Sequence, residues 1–85
     1  MQIRIAKSAM KALLRLQPAK ARQIREAIAT AAANPFAPNN NVKALKGVRN
    51  GYRIRIGDWR VSYTIDRASQ TLEVFEIAPR GGAYR

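Results

Sequence analysis

The chain has 85 residues, 47% of them hydrophobic, and its sixteen Lys and Arg outweigh five Asp and Glu to give a net charge of +11. That length supports a single domain over residues 1–85, burying about 60% of the unfolded surface, and the charge points to an anionic partner: nucleic acid, an anionic membrane surface or an acidic protein. Cysteine and histidine are both absent, which excludes thiol nucleophiles, imidazole bases, disulfides and the common zinc and iron–sulfur ligand sets.

In chain order, Gln2 to Ala6 alternates polar and apolar residues, the period of a short strand with Ile3 and Ile5 facing a core. Ser8 reads as a helix N-cap. After it Met10, Leu13, Leu14 and Leu16 fall on one side, and Lys7, Lys11 and Arg15 step by four along another. Gln17-Pro18 breaks this helix and starts a second, because proline is poor inside a helix and favourable at its first position. The second helix runs to about Ala33 with Ala21, Ile24, Ile28 and Ala31 as its inner stripe. The alanine runs around it are too short and too small to span a bilayer or to act as a signal sequence, so a soluble, cytoplasmic chain is expected, with no membrane partner.

Asn34-Pro35 ends the helical half, and the turn-formers through Asn41 make a loop. The remainder alternates with period 2. Tyr52, Ile54 and Ile56 interleave with Arg53 and Arg55, and Trp59, Val61, Tyr63 and Ile65 interleave with Arg60, Ser62 and Thr64. Gly57-Asp58 between these runs suits a two-residue hairpin of type II′. Asp66 to Gln70 forms a polar turn, and Thr71 to Ile77 is a third run. The predicted fold is α+β, in the order β-α-α-β-β-β, with a small, mainly antiparallel sheet and the αα-hairpin packed on one face.

Parity then places the charge. Arg53 and Arg55 share a face, Arg60 joins them across the tight turn, and all three point away from the helices if the apolar set points inward. Like charges at cross-strand distance repel, so an anionic ligand would relieve a stability cost. Lys43, Lys46 and Arg49 precede this hairpin, and between Lys43 and Arg60 six basic residues stand against Asp58 alone. Tyr52, Trp59 and Tyr63 have the parity of the core. Simple alternation puts Glu73 and Glu76 on opposite faces, which argues against a carboxylate pair for catalysis or metal binding. The glycines fit no phosphate-loop pattern, and no cofactor is expected.

Leu45-Lys46-Gly47, the run Gly51-Tyr52-Arg53-Ile54-Arg55-Ile56-Gly57-Asp58-Trp59-Arg60-Val61-Ser62-Tyr63, then Pro79-Arg80-Gly81 and Ala83-Tyr84-Arg85 together resemble the RelE toxins of the RelE/ParE toxin–antitoxin superfamily. The resemblance covers nearly the whole chain. It implies a toxin that cuts messenger RNA at the ribosomal A site without a metal and is neutralised by a cognate antitoxin carrying an acidic segment. Arg60, Arg80 and Tyr84 match the family's catalytic arginines and tyrosine. Arg53 and Arg55 fall where the best-known members carry lysines, and with Lys43 and Lys46 they form the expected phosphate-binding set. Arginine stays charged, so Arg53 and Arg55 are poor general bases. Tyr84, its phenol lowered by neighbouring arginines, is the expected base, with stacking on a base as the other reading. The chain closes at Arg85, leaving no room for the carboxy-terminal helix of some members. Two other functions fit the same resemblance: a ParE-like poison of DNA gyrase, and a basic RNA-binding module without catalysis.

Overall fold

The computed structural model describes residues 1–79. In chain order it contains β1 (Gln2–Ile5), α1 (Lys7–Leu14), α2 (Pro18–Ala33), β2 (Val42–Ala44), β3 (Gly51–Ile56), β4 (Trp59–Asp66) and β5 (Thr71–Pro79). The strands form one sheet in the order β1-β5-β4-β3-β2. β1 runs parallel to β5, and the other neighbours are antiparallel. The α+β architecture with a helical hairpin is the one the sequence predicts, with one strand more. The extra strand, β2, spans three residues and pairs with β3. Three residues are too few to show a period, so only the partner strand reveals it.

The helices cover one face of the sheet. Ala21, Ile24, Ile28 and Ala32 from α2 and Ala9 and Leu13 from α1 meet Ile54, Ile56, Val61, Tyr63, Ile65, Leu72, Val74 and Ile77. Proline at the first position and an extended Gln17 start α2 as expected, and the Ala21 amide donates to the Gln17 carbonyl at 2.9 Å. Its inner stripe ends on Ala32, with Ala31 half-buried. The Met1 ammonium donates to the Ala32 carbonyl at 3.3 Å, placing a positive charge at the negative end of a helix that has no basic residue in its last turn.

α1 departs from the sequence reading. Its N-cap is Ala6, and Ser8 lies inside the helix. The reason is the sheet: the Ala6 amide donates to the Val74 carbonyl at 2.8 Å while the Ala6 carbonyl accepts from Met10 at 2.9 Å, so strand pairing and helix share one residue. The buried face is then Ala9 and Leu13, Met10 and Leu16 are half-buried, and Leu14 is 68% exposed. Lys7, Lys11 and Arg15 are exposed, as their spacing implies. On the edge strand β1, Ile5 packs against the core and Ile3 stays largely exposed.

β5 carries a bulge that alternation does not reveal. Ser62 pairs with Glu76 and Tyr63 with Val74, so Phe75 is an extra residue on β5. The parity of β5 reverses there, which lets Leu72, Val74 and Ile77 all face the helices. It also puts Glu73 and Glu76 on the same, open face, correcting their expected separation.

Candidate nucleic-acid interface

The β3–β4 hairpin sets the geometry of the open face. Of its two turn residues only Gly57 has a positive φ, +58°, as the type II′ turn requires. The register puts Arg55 directly opposite Arg60 and Arg53 opposite Ser62. β2 adds Lys43 opposite Arg53, and β5 adds Glu76 opposite Ser62 and Ala78 opposite Arg60. Two neighbouring rows result: Lys43, Arg53, Ser62, Glu76, and beside it Arg55, Arg60, Ala78. The Arg55 amide donates to the Asn41 carbonyl at 3.0 Å, tying the start of β2 to the hairpin.

Lys43, Arg53, Arg55 and Arg60 line a cleft of about 350 Å³, together with Asn40, Asn41 and Trp59. Arg53 and Arg60 are half-buried, whereas Lys43 and Arg55 are exposed. A phosphate placed between two guanidinium forks accepts bidentate hydrogen bonds and offsets like charges at cross-strand distance. On the far side of Arg53, the buried Ser62 hydroxyl donates a long bond, 3.4 Å, to Glu76 Oε1. The cations are thus gathered at the β2–β3 side and the carboxylates lie toward β5.

Four of the predicted site residues therefore come together: Lys43, Arg53, Arg55 and Arg60. Lys46 does not join them. It follows β2 at the end of the sheet away from the hairpin, where the Leu45 amide pairs with the Gly51 carbonyl at 2.9 Å, and it does not line the cleft. Arg80 and Tyr84 lie outside the described residues. Sequence reasoning passed over Asn40 and Asn41, which carry turn composition and nothing more specific. Trp59 packs against the core as its parity implies, but it is half-buried and also forms one wall of the cleft.

On the helix side Tyr52 and Tyr63 stack with ring centroids 5.9 Å apart and planes 28° apart. Burial pushes the Tyr63 phenol above its usual value of 10.0, and Tyr52 beside it adds to the rise. With the folded value raised, the unfolded chain ionises first. The contribution of this group to stability is therefore whole below about pH 10 and is lost as pH climbs past it. Tyr63→Phe is expected to remove that part of the alkaline decline. Urea titrations at about pH 8 and about pH 11 should show the wild type losing more stability than the variant; parallel losses would contradict the burial.

A helical hairpin on one face of a small sheet and a cationic cleft on the other define a small α+β protein with a site for an anion, and the comparisons make the class specific. Residues 3–84 match the family model for the ParE toxin of type II toxin–antitoxin systems, and the chain belongs to that family. It is similar to a Methanocaldococcus jannaschii protein assigned as the toxin RelE1, with 33% identity over 98% of this chain and 93% of that one. Among solved structures, the archaeal RelE–RelB complex from Pyrococcus horikoshii matches with a TM-score of 0.81 and 29% identity, covering 96% of this chain and 97% of that chain. The isolated RelE toxin of E. coli shares the fold, with a TM-score of 0.81 at 15% identity over 98% of this chain and 87% of that one. These relatives make the chain a RelE-type toxin.

Proposed function

We propose that this toxin is a ribosome-dependent endoribonuclease that cuts messenger RNA in the A site, without a metal ion. The observation that carries the reading is the gathering of Lys43, Arg53, Arg55 and Arg60 in one cleft, a local concentration of positive charge that suits a polyanion. The similarity to proteins named RelE supports it. In this chemistry the ribose 2′-oxygen attacks the adjacent phosphorus, the bond to the 5′-oxygen breaks, and the leaving oxygen takes a proton from water, so that a 2′,3′-cyclic phosphate and a 5′-hydroxyl result. Lys43, Arg53 and Arg55 hold the strand by its phosphates. Arg60 and Arg80 stabilise the phosphorane, and Tyr84, as phenolate, takes the 2′-hydroxyl proton. Arg80 and Tyr84 follow Pro79, whose strand partner is Trp59, the neighbour of Arg60.

Mapping messenger 5′ ends after induction, with and without a translation inhibitor, tests the reading. Cuts within codons that vanish with the inhibitor are expected. Intact messages with gyrase trapped on broken DNA would replace the reading with that of a gyrase poison, which the ParE description of the family keeps as the competitor. Affinity for single-stranded RNA should also depend on salt. If each of the four cleft cations neutralises one phosphate, the logarithmic slope is about −2.8, and binding weakens roughly 50-fold between about 50 and about 200 mM salt. A flat response would remove the electrostatic basis.

A cognate antitoxin completes the reading. The Pyrococcus horikoshii relative was solved with RelB, and an acidic antitoxin segment fits the cleft by charge, competing with RNA for the same cations.

A further inference from the structure

On the helix side of the sheet lies a second, larger cavity of about 450 Å³, between α2, the loop at residues 34–41 and the end of β3. One of its walls is Tyr63, which is 2% exposed and whose hydroxyl has no hydrogen-bond partner among the described residues. The hydroxyl oxygen itself is not sealed from the cavity, so it can donate to a ligand acceptor in place of solvent. Burial keeps its proton in place, so it is a donor at neutral pH.

Four residues with side-chain amides, Gln23, Asn34, Asn39 and Asn41, stand among an otherwise mainly apolar lining. Gln23 Oε1 accepts from Lys20 Nζ at 3.0 Å, which leaves the Gln23 amide hydrogens for the cavity. Asn39 Oδ1 accepts from the Asn41 amide at 2.8 Å and fixes the loop. Asn34, Asn41 and Thr30 add further donors and acceptors, and Ala27, Ala31 and Ile54 supply apolar walls. Neutral amides facing flat apolar surface match a nucleobase, whose ring faces are apolar and whose edge alternates donors and acceptors.

The two cavities are neighbours that share lining residues. Arg55 and Asn41 line both and are joined by the 3.0 Å backbone bond. We propose that the amide-lined groove is a nucleobase subsite, which takes a base splayed from an RNA strand whose neighbouring phosphate rests on Arg55 in the cationic cleft. The inference rests on the RNA reading above and goes beyond it by placing base discrimination on the helix side of the sheet. An acidic peptide suits the groove less, because among the described residues Arg55 is its one charged lining residue.

The test uses the full chain and single-stranded trinucleotides with 2′-deoxy substitution, which cannot be cut, one for each base at the last position, and an abasic version. Side-chain amide resonances of Gln23, Asn34 and Asn41 are expected to shift for one base above the others. Tyr63→Phe removes a hydroxyl that bonds to no described residue, so it should fold, and it should reduce the preference for the favoured base roughly fivefold while abasic binding is unchanged. Trinucleotides that bind with no base preference and leave the groove amides unmoved would overturn the subsite but keep the RNA reading. Groove amides that respond to an acidic antitoxin peptide and not to RNA would overturn it in favour of a protein contact. No binding of any trinucleotide would remove the RNA reading and the subsite together.

Discussion

Arg60→Ala is expected to lower messenger cleavage on translating ribosomes by roughly 10²–10³-fold, the usual cost of removing one preorganised group that stabilises transition-state charge. Arg60 is half-buried in the cleft and sits opposite Arg55, so its side chain is partly withdrawn from solvent. Arg60→Lys keeps the charge and loses the planar fork, and should recover only part of the rate. Arg55→Ala, at an exposed position on the same face, should act mainly through RNA affinity. Single-turnover cleavage beside RNA-binding anisotropy separates the two effects, with circular dichroism confirming that each variant folds. A cleavage rate for Arg60→Ala equal to that of the wild type would remove this residue from the chemistry.

Leu72→Ala is expected to cost about 2–5 kcal/mol, a large share of the ~5–15 kcal/mol available to a small protein. Leu72 is fully buried on β5, with Ile3 on the neighbouring edge strand and Ile65 on β4. Truncation there leaves a cavity enclosed by sheet and helices that backbone movement can fill only in part. Leu14→Ala makes the same chemical change at a position 68% exposed and should cost no more than about 0.5 kcal/mol. Urea titration of the pair gives the comparison, and equal losses would contradict the placement of α1. In cells the Leu72 variant should lose toxicity through lower abundance, with its cleft intact.

The period-2 runs of β3 and β4 made much of the site legible. Once Tyr52, Ile54 and Ile56 were assigned to the core, Arg53 and Arg55 had to point away, and the Gly57 turn carried Arg60 to the same face. The helical hairpin was equally clear, because Pro18 has only one favourable place in a helix and Ala21, Ile24 and Ile28 follow helical spacing. Ser8 misled for a physical reason. Its capping preference is a local effect of about 1 kcal/mol, and the backbone bond from Ala6 to Val74, made across the whole chain, fixed the helix start instead.

What the sequence determined by itself was periodicity and charge: the faces of β3, β4 and α2, and a surplus of cations that pointed to an anionic partner. The tertiary structure alone decided which cations meet. Lys43 enters the cleft because a three-residue strand pairs with β3, and Lys46, three residues on, does not. Glu76 shares the open face because Phe75 is extruded where β5 meets β4. Strand pairing and bulges are set by partners distant in the chain, whose hydrogen bonds leave no period in the segment itself. The amide-lined groove has the same origin: its residues belong to a helix, a loop and a strand end that become neighbours only when the sheet closes against α2.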